Sequence, residues 1–187
     1  MGRVSFKPGN MLYPVPAVLI SCSDGEGHDN VFTVAWTGTI CSDPAMLSIS
    51  VRKERHSHPM ITKTGEFVVN LTNKKLVEAV DYCGVKSGKE VDKWAAMHLT
   101  KSPSEKVKAP SIKESPVSIE CKVKQVLELG THDMFIAEVV AVTVDDQYMD
   151  ENGRFHFADA DPIAYSHGEY YTLGENLGKF GYSVKKK

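Results

Sequence analysis

The chain has 187 residues, 42% of them hydrophobic, with 22 basic and 24 acidic side chains and four cysteines. That length suits a single domain spanning 1–187, able to bury roughly 70% of the surface its unfolded form exposes. Arginine contributes only Arg3, Arg52, Arg55 and Arg154 to a near-neutral balance, which excludes a nucleic-acid footprint, since that needs a strongly basic patch.

The N-terminal MGRVSFKPGNMLYPVP lacks an apolar core of signal-peptide length, and no run approaches the ~18 residues of a membrane span. A soluble, cytoplasmic protein with no membrane partner is expected. Cys22, Cys41, Cys83 and Cys121 form no CxxC pair, and three of them lie in apolar strand-like runs. They read as buried thiols in a reducing compartment. At the other end, Lys185 to Lys187 reads as a solvated tail.

Pro14 to Ser23 is a strand signal, and the glycines and acidic residues of Asp24 to Asp29 form a turn, so a hairpin opens the fold. Val31 to Ile40 and Ala45 to Arg52 supply two more strands, joined by a Ser42-Asp43-Pro44 turn. In the first of these, Thr33, Ala35, Thr37 and Thr39 alternate with Phe32, Val34, Trp36 and Gly38. One face is therefore nearly flat, lined with hydroxyls and methyls, and leaves backbone within reach of a flat ligand.

Pro59 near the start of Ser57 to Thr64 marks a short helix, and Phe67 to Leu71 reads as the next strand. From Thr72 the apolar period becomes helical, with Thr72 or Asn73 as N-cap and Gly84 as the stop. A second helix is expected over Ser87 to Met97, with Val91, Trp94 and Ala95 inward. The polar, proline-rich Ser102 to Pro116 is a surface connection rather than a domain boundary.

Val117 to Leu129 and Met134 to Val144 alternate around Gly130-Thr131-His132-Asp133 and predict a long antiparallel hairpin. Val117, Ile119, Cys121 and Val123 are expected to face one way, against Ser118, Glu120, Lys122 and Lys124. An Asp150 to Gly153 turn, a short Ile163-Ala164-Tyr165 strand and a glycine-rich, aromatic finish complete the chain. About seven sequentially adjacent strands against two or three short helices give a mainly β fold with short helical insertions, a barrel or split barrel rather than a parallel βαβ sheet. No GxGxxG and no GxSxG is present. His56-x-His58, and His156 near Asp159, Asp161 and His167, raise a metal site, but Pro59 and the lack of a clustered third ligand speak against it.

Six segments occur in an order that resembles the flavin reductase-like family, in its flavoredoxin branch. They are Asn30 to Trp36, Ser50-Val51-Arg52-Lys53, Gly65 to Asn70, Val91-Asp92-Lys93-Trp94, Gly130-Thr131-His132 and Pro162 to Tyr165. The resemblance runs from about Tyr13 to Tyr182 and implies an FMN-binding split β-barrel that forms a homodimer, with the flavin near the subunit interface. It implies a reductase that moves electrons from NADH or NADPH through FMN to flavin or a redox protein. Two other outcomes are an FMN-holding carrier without nicotinamide oxidation, and a non-enzymatic flavin- or heme-binding barrel.

Carried over, Asn30, Thr33, Ala35, Trp36 and Thr37 form the strand along the isoalloxazine and ribityl chain, and Ser50, Arg52 and Ser57 meet the phosphate end. Lys93 and His132 are polar contacts, candidates to stabilise the reduced ring near N1. Each has a plainer reading beside it: a strand end with solvated charges, a solvated lysine on an exposed helix, a surface histidine in a turn, core packing for Trp36 and turn-capping for Asn30. Because the redox chemistry belongs to the flavin, no catalytic acid, base or nucleophile is expected from the chain.

Overall fold

The computed structural model describes residues 2–184; the expected lysine tail at 185–187 lies outside them. Strand β1 (Val15–Pro16) is followed by β2 (Val18–Ser23), β3 (Asp29–Val34), β4 (Thr37–Ser42) and β5 (Ala45–Arg52), then helix α1 (Ser57–Thr64) and β6 (Glu66–Asn70). Next come α2 (Val77–Val85), α3 (Lys93–Ala96), β7 (Lys101–Ser102), β8 (Ser111–Ile112), the long pair β9 (Val117–Leu129) and β10 (His132–Val144), and finally β11 (Ile163–Ser166) and β12 (Glu169–Thr172).

Seven strands form one sheet in the order β3-β2-β6-β9-β10-β5-β4. Its two edge strands, β3 and β4, are consecutive in the chain, separated only by Ala35 and Trp36. The sheet therefore curls until one chain segment forms both edges, giving a split barrel whose hydrogen-bond ladder does not close. Inside it pack Ile20, Phe32, Ile49, Ile61, Phe67 and Phe135, all buried. A second core, with Leu19, Val31, Val80, Trp94 and Ile163, fills the space between β2–β3 and the helices.

The strand expected over Val31 to Ile40 is thus two strands, and the break falls inside the segment expected to carry the flat face. The alternation of Thr33, Ala35, Thr37 and Thr39 does not survive it. Thr33 donates its hydroxyl to the Val80 carbonyl of α2 at 2.5 Å, Thr37 donates to the Ser48 carbonyl at 2.7 Å, and Thr39 is exposed.

Other differences have equally local causes. Gly84 does not stop α2 but lies within it, where a Cβ would sit 3.4 Å from that of Thr33; its missing side chain lets the helix lie on β3. The helix expected over Ser87 to Met97 is reduced to α3, which Asp92 caps by accepting from the N–H groups of Trp94 and Ala95. Glu120, expected on the solvent side of the hairpin, is fully buried. The 103–112 connection crosses it, and its carboxylate accepts from the N–H groups of Glu105 and Lys106 at 2.8 and 2.6 Å.

Candidate functional site

Hydrogen bonding isolates Ala35 and Trp36. Both lie outside the β3 and β4 ladders, and the one backbone bond to either among the described residues is Ser50 N–H donating to Trp36 C=O at 2.8 Å. The Ala35 N–H and C=O and the Trp36 N–H are left without backbone partners although both residues are half-buried. Backbone groups in such a position are normally paired, so this break is a ready hydrogen-bonding edge for a ligand.

A groove follows the break. At its centre is a chamber of about 140 Å³ bordered by Thr33, Ala35, Trp36, Ser50, Arg52 and His132. Through Ala35, Trp36, Ser50 and His132 this chamber joins one of about 720 Å³ that Met11, Leu12, Val15, Leu129 and Met134 make apolar. At the other end, Thr33, Arg52 and Arg55 connect it to a third of about 340 Å³, walled also by Asn30, His56, Ser57, Lys86 and Lys93. The groove is apolar at one end and cationic at the other.

The cationic end is built from three elements. β5 delivers Arg52, and α1 begins at Ser57 with no side chain capping its first turn, so its positive dipole end is open. The turn after α2 brings in Lys86 and Gly88. Asn30 is buried here, not capping its turn: its Nδ2 donates to Ser57 Oγ at 2.6 Å, while Asp24 caps the turn by accepting from Glu26 and His28 N–H. Lys93 is 2% exposed, contrary to the solvated lysine of the plainer reading. Its Nζ donates to the carbonyls of Cys83 at 3.1 Å and Lys86 at 3.3 Å.

An ammonium has three donors, so Lys93 keeps one free. Burial pulls its pKa below the ordinary lysine value. Burial, then Lys89 and Lys93, likewise lower the pKa of His56. Arg52 pairs with Glu54 at 2.9 Å, whereas Arg55, His56 and Lys93 have no carboxylate partner among the described residues. The uncompensated, partly desolvated charges of Arg55 and Lys93 are stabilised by an incoming anion, with the His56 ring beside them as a hydrogen-bonding group.

Of the residues named from sequence, Asn30, Arg52, Ser57 and Lys93 converge at the cationic end, and Thr33 borders it. Ala35, Trp36, Ser50 and His132 line the middle, and Thr37 the apolar end. His132 is opposite Arg52 across the β5–β10 ladder; Lys93 and His132 share no chamber. Sequence reasoning missed His56, Lys86, Met11, Leu12 and Met134. His56 precedes Ser57 and had a readable signal, whereas the N-terminal arm reaches the groove only through tertiary packing. His58 and His156 are engaged elsewhere, pairing with Asp133 at 2.7 Å and Asp150 at 3.0 Å.

No helix among the described residues is long and apolar enough to cross a membrane. Cys22, Cys83 and Cys121 are buried, and all four thiols are free; burial pushes Cys22 and Cys121 up to about 12 and Cys83 to about 11. These three buried thiols are inert as nucleophiles.

In structure the chain is similar to flavoredoxin of Desulfovibrio vulgaris (Miyazaki F), with a TM-score of 0.91 and 32% identity over 98% of this chain and 100% of that one. Flavoredoxin from Methanosarcina acetivorans follows, with a TM-score of 0.87 and 28% identity over 99% and 100%. In sequence an uncharacterized protein of Archaeoglobus fulgidus is 35% identical over 139 residues, 74% of this chain and 77% of that protein. The family model described as the flavin reductase like domain matches residues 10–174. The chain therefore belongs to the flavin reductase-like family, in its flavoredoxin branch.

Proposed function

We propose that the chain is an FMN-dependent oxidoreductase that takes electrons from NADH or NADPH and passes them to free flavin or to a protein acceptor. The observation that carries this reading is the polarity of the groove: cations at one end, unpaired backbone in the middle, apolar walls at the other. FMN has the same sequence of chemistries, a phosphate of about two negative charges, a hydroxylated ribityl chain and a flat ring.

Bound FMN would supply the hydride and electron chemistry. The chain's own part is to hold and orient. Lys93, Arg52, Arg55, His56 and the N-terminus of α1 would meet the phosphate, with Asn30 held by Ser57 beside them. Ser50 and the Thr33 hydroxyl would border the ribityl chain. The free N–H and C=O groups at Ala35 and Trp36 suit the alternating acceptors and donor along the pyrimidine edge of the ring. On this placement His132, rather than Lys93, is the polar side chain nearest the ring, and Lys93 belongs to the phosphate.

The apolar end is open, and the N-terminal arm supplies part of its wall. We assign the missing wall to a second copy of the chain, so that the flavin ring sits near a homodimer interface. The test is spectroscopic. The protein reconstituted with FMN should be yellow, and anaerobic addition of NADH or NADPH should bleach the flavin band. Retained colour with both donors would remove the nicotinamide step and leave an electron carrier; failure to take up FMN would remove the flavin reading.

A further inference from the structure

Lys53 and His58 bracket Glu54, Arg55, His56 and Ser57, all four of which border the phosphate chamber. Both reach one carboxylate. On Asp133, Oδ2 lies 2.7 Å from His58 Nε2 and Oδ1 lies 3.3 Å from Lys53 Nζ, yet none of these three residues borders the groove. We propose that Asp133 is a positioning residue for the flavin phosphate, a role that rests on the flavin reading above and goes beyond it. Through His58, and secondarily through the more exposed Lys53, it staples the turn from Glu54 to Ser57 in the shape that presents Arg55, His56 and the start of α1 to that phosphate.

The place of Asp133 in the sheet argues for such a role. His132 and Met134 border the groove, whereas Asp133, Phe135 and Ala137 alternate with them and are buried, as is Val51 opposite Asp133 on β5. A carboxylate in that row gives up hydration that an apolar side chain would not. A buried ion pair commonly adds no more stability than well-packed apolar residues of the same volume. What it adds is a fixed geometry. The His58 ring also meets Phe135 edge-on, with centroids 5.4 Å apart, so carboxylate and aromatic together orient the imidazole. Although burial works the other way, His58 and Lys53 hold the Asp133 pKa below the ordinary carboxylate value, and the staple is charged at neutral pH.

The turn needs this support. Backbone bonds of 3.0 Å from Arg55 N–H to Arg52 C=O and from His58 N–H to Arg55 C=O curl it, but no side chain caps α1. Burial first, and Arg55 among the nearby charges, lower the Lys93 pKa; the repulsion between these two cations pushes the turn outward until an anion arrives. Ser57 is tied to Asn30 of β3 at 2.6 Å and His58 to Asp133 of β10, so successive residues of the first helical turn are anchored to two different strands.

Titrations of FMN and riboflavin into the full chain and its variants test the proposal, because riboflavin lacks the phosphate. Asp133→Ala should weaken FMN about tenfold and riboflavin less than about twofold. His58→Ala should do the same, and the double variant should be no more than about twofold weaker than either single one. Asp133→Asn, whose amide can still bond to His58 Nε2, should fall between wild type and Asp133→Ala. Riboflavin binding also reports that the variants are folded; should Asp133→Ala fail to fold, Asp133→Asn and His58→Ala carry the same comparison. Parallel losses of FMN and riboflavin would make Asp133 a residue of the fold alone and overturn the proposal. So would an FMN affinity unchanged in Asp133→Ala, or losses that multiply in the double variant, and either would leave the phosphate reading standing. If wild type binds FMN and riboflavin alike, the phosphate reading fails and the proposal with it.

Discussion

Lys93 is 2% exposed with two carbonyls and no carboxylate beside it, an arrangement that costs free energy until an anion arrives. Because burial lowers its folded pKa below the ordinary 10.5, the protonated side chain destabilises the flavin-free fold. That penalty is present below the folded pKa and relieved as pH rises through it. Phosphate binding reverses the preference by holding the proton on Lys93. FMN affinity is therefore expected to fall as pH rises through the depressed pKa, starting below 10.5. Lys93→Met should abolish that alkaline loss and weaken FMN by about 1–3 kcal/mol at neutral pH. Titrations across pH check both. Arg52, exposed and already paired with Glu54, should matter less, with Arg52→Ala costing at most about 1 kcal/mol of FMN affinity. Sequence placed both residues near the ligand but could not rank them. The burial of Lys93 comes from the carbonyls of residues 83 and 86 folding over a four-residue helix, too short to show an apolar period.

At the scale of elements, the long hairpin, the turn at Ser42-Asp43-Pro44 and the short helix from Ser57 were legible because each has a strong local cause: sustained alternation, a proline turn, a proline in the first helical turn. The break between β3 and β4 was not. Phe32 to Ile40 alternates without interruption in sequence, and only the need of one segment to pair with β2 and then with β5 divides it. Glu120 was misplaced for a related reason: alternation assumes one wet face, whereas the first part of β9, Val117 to Cys121, is covered on both sides. Gly88 illustrates close packing between elements, because its missing side chain is what lets the turn after α2 meet Asn30. Gly88→Ala is expected to disrupt the Asn30–Ser57 hydrogen bond and lower stability by about 1–3 kcal/mol, read from urea unfolding, with weaker FMN binding. Unchanged unfolding and affinity would show that the turn yields freely.

For the whole molecule, the decisive property is that one chain segment supplies both edges of the curled sheet, which fixes the ligand edge where the ladders stop. The mainly β, split-barrel class was readable from strand count and connection lengths, and the family from six ordered segments. The arms were not, since neither has a period. Leu12, Phe6, Leu177 and Phe180 are 79% exposed or more, on segments that flank the barrel and in part wall the apolar chamber. So much exposed apolar surface is unusual for a monomer. Sedimentation velocity is expected to find a dimer, and removal of residues 2–12 should weaken it; a monomer at micromolar concentration would contradict the shared-interface placement. The central claim is that the cationic chamber holds the flavin phosphate, and paired titrations with FMN and riboflavin, which lacks that phosphate, test it most directly. FMN should bind at least about a hundredfold more tightly, a difference of roughly 2.7 kcal/mol; equal affinities would mean that the basic side chains of Arg55, His56 and Lys93 serve something else.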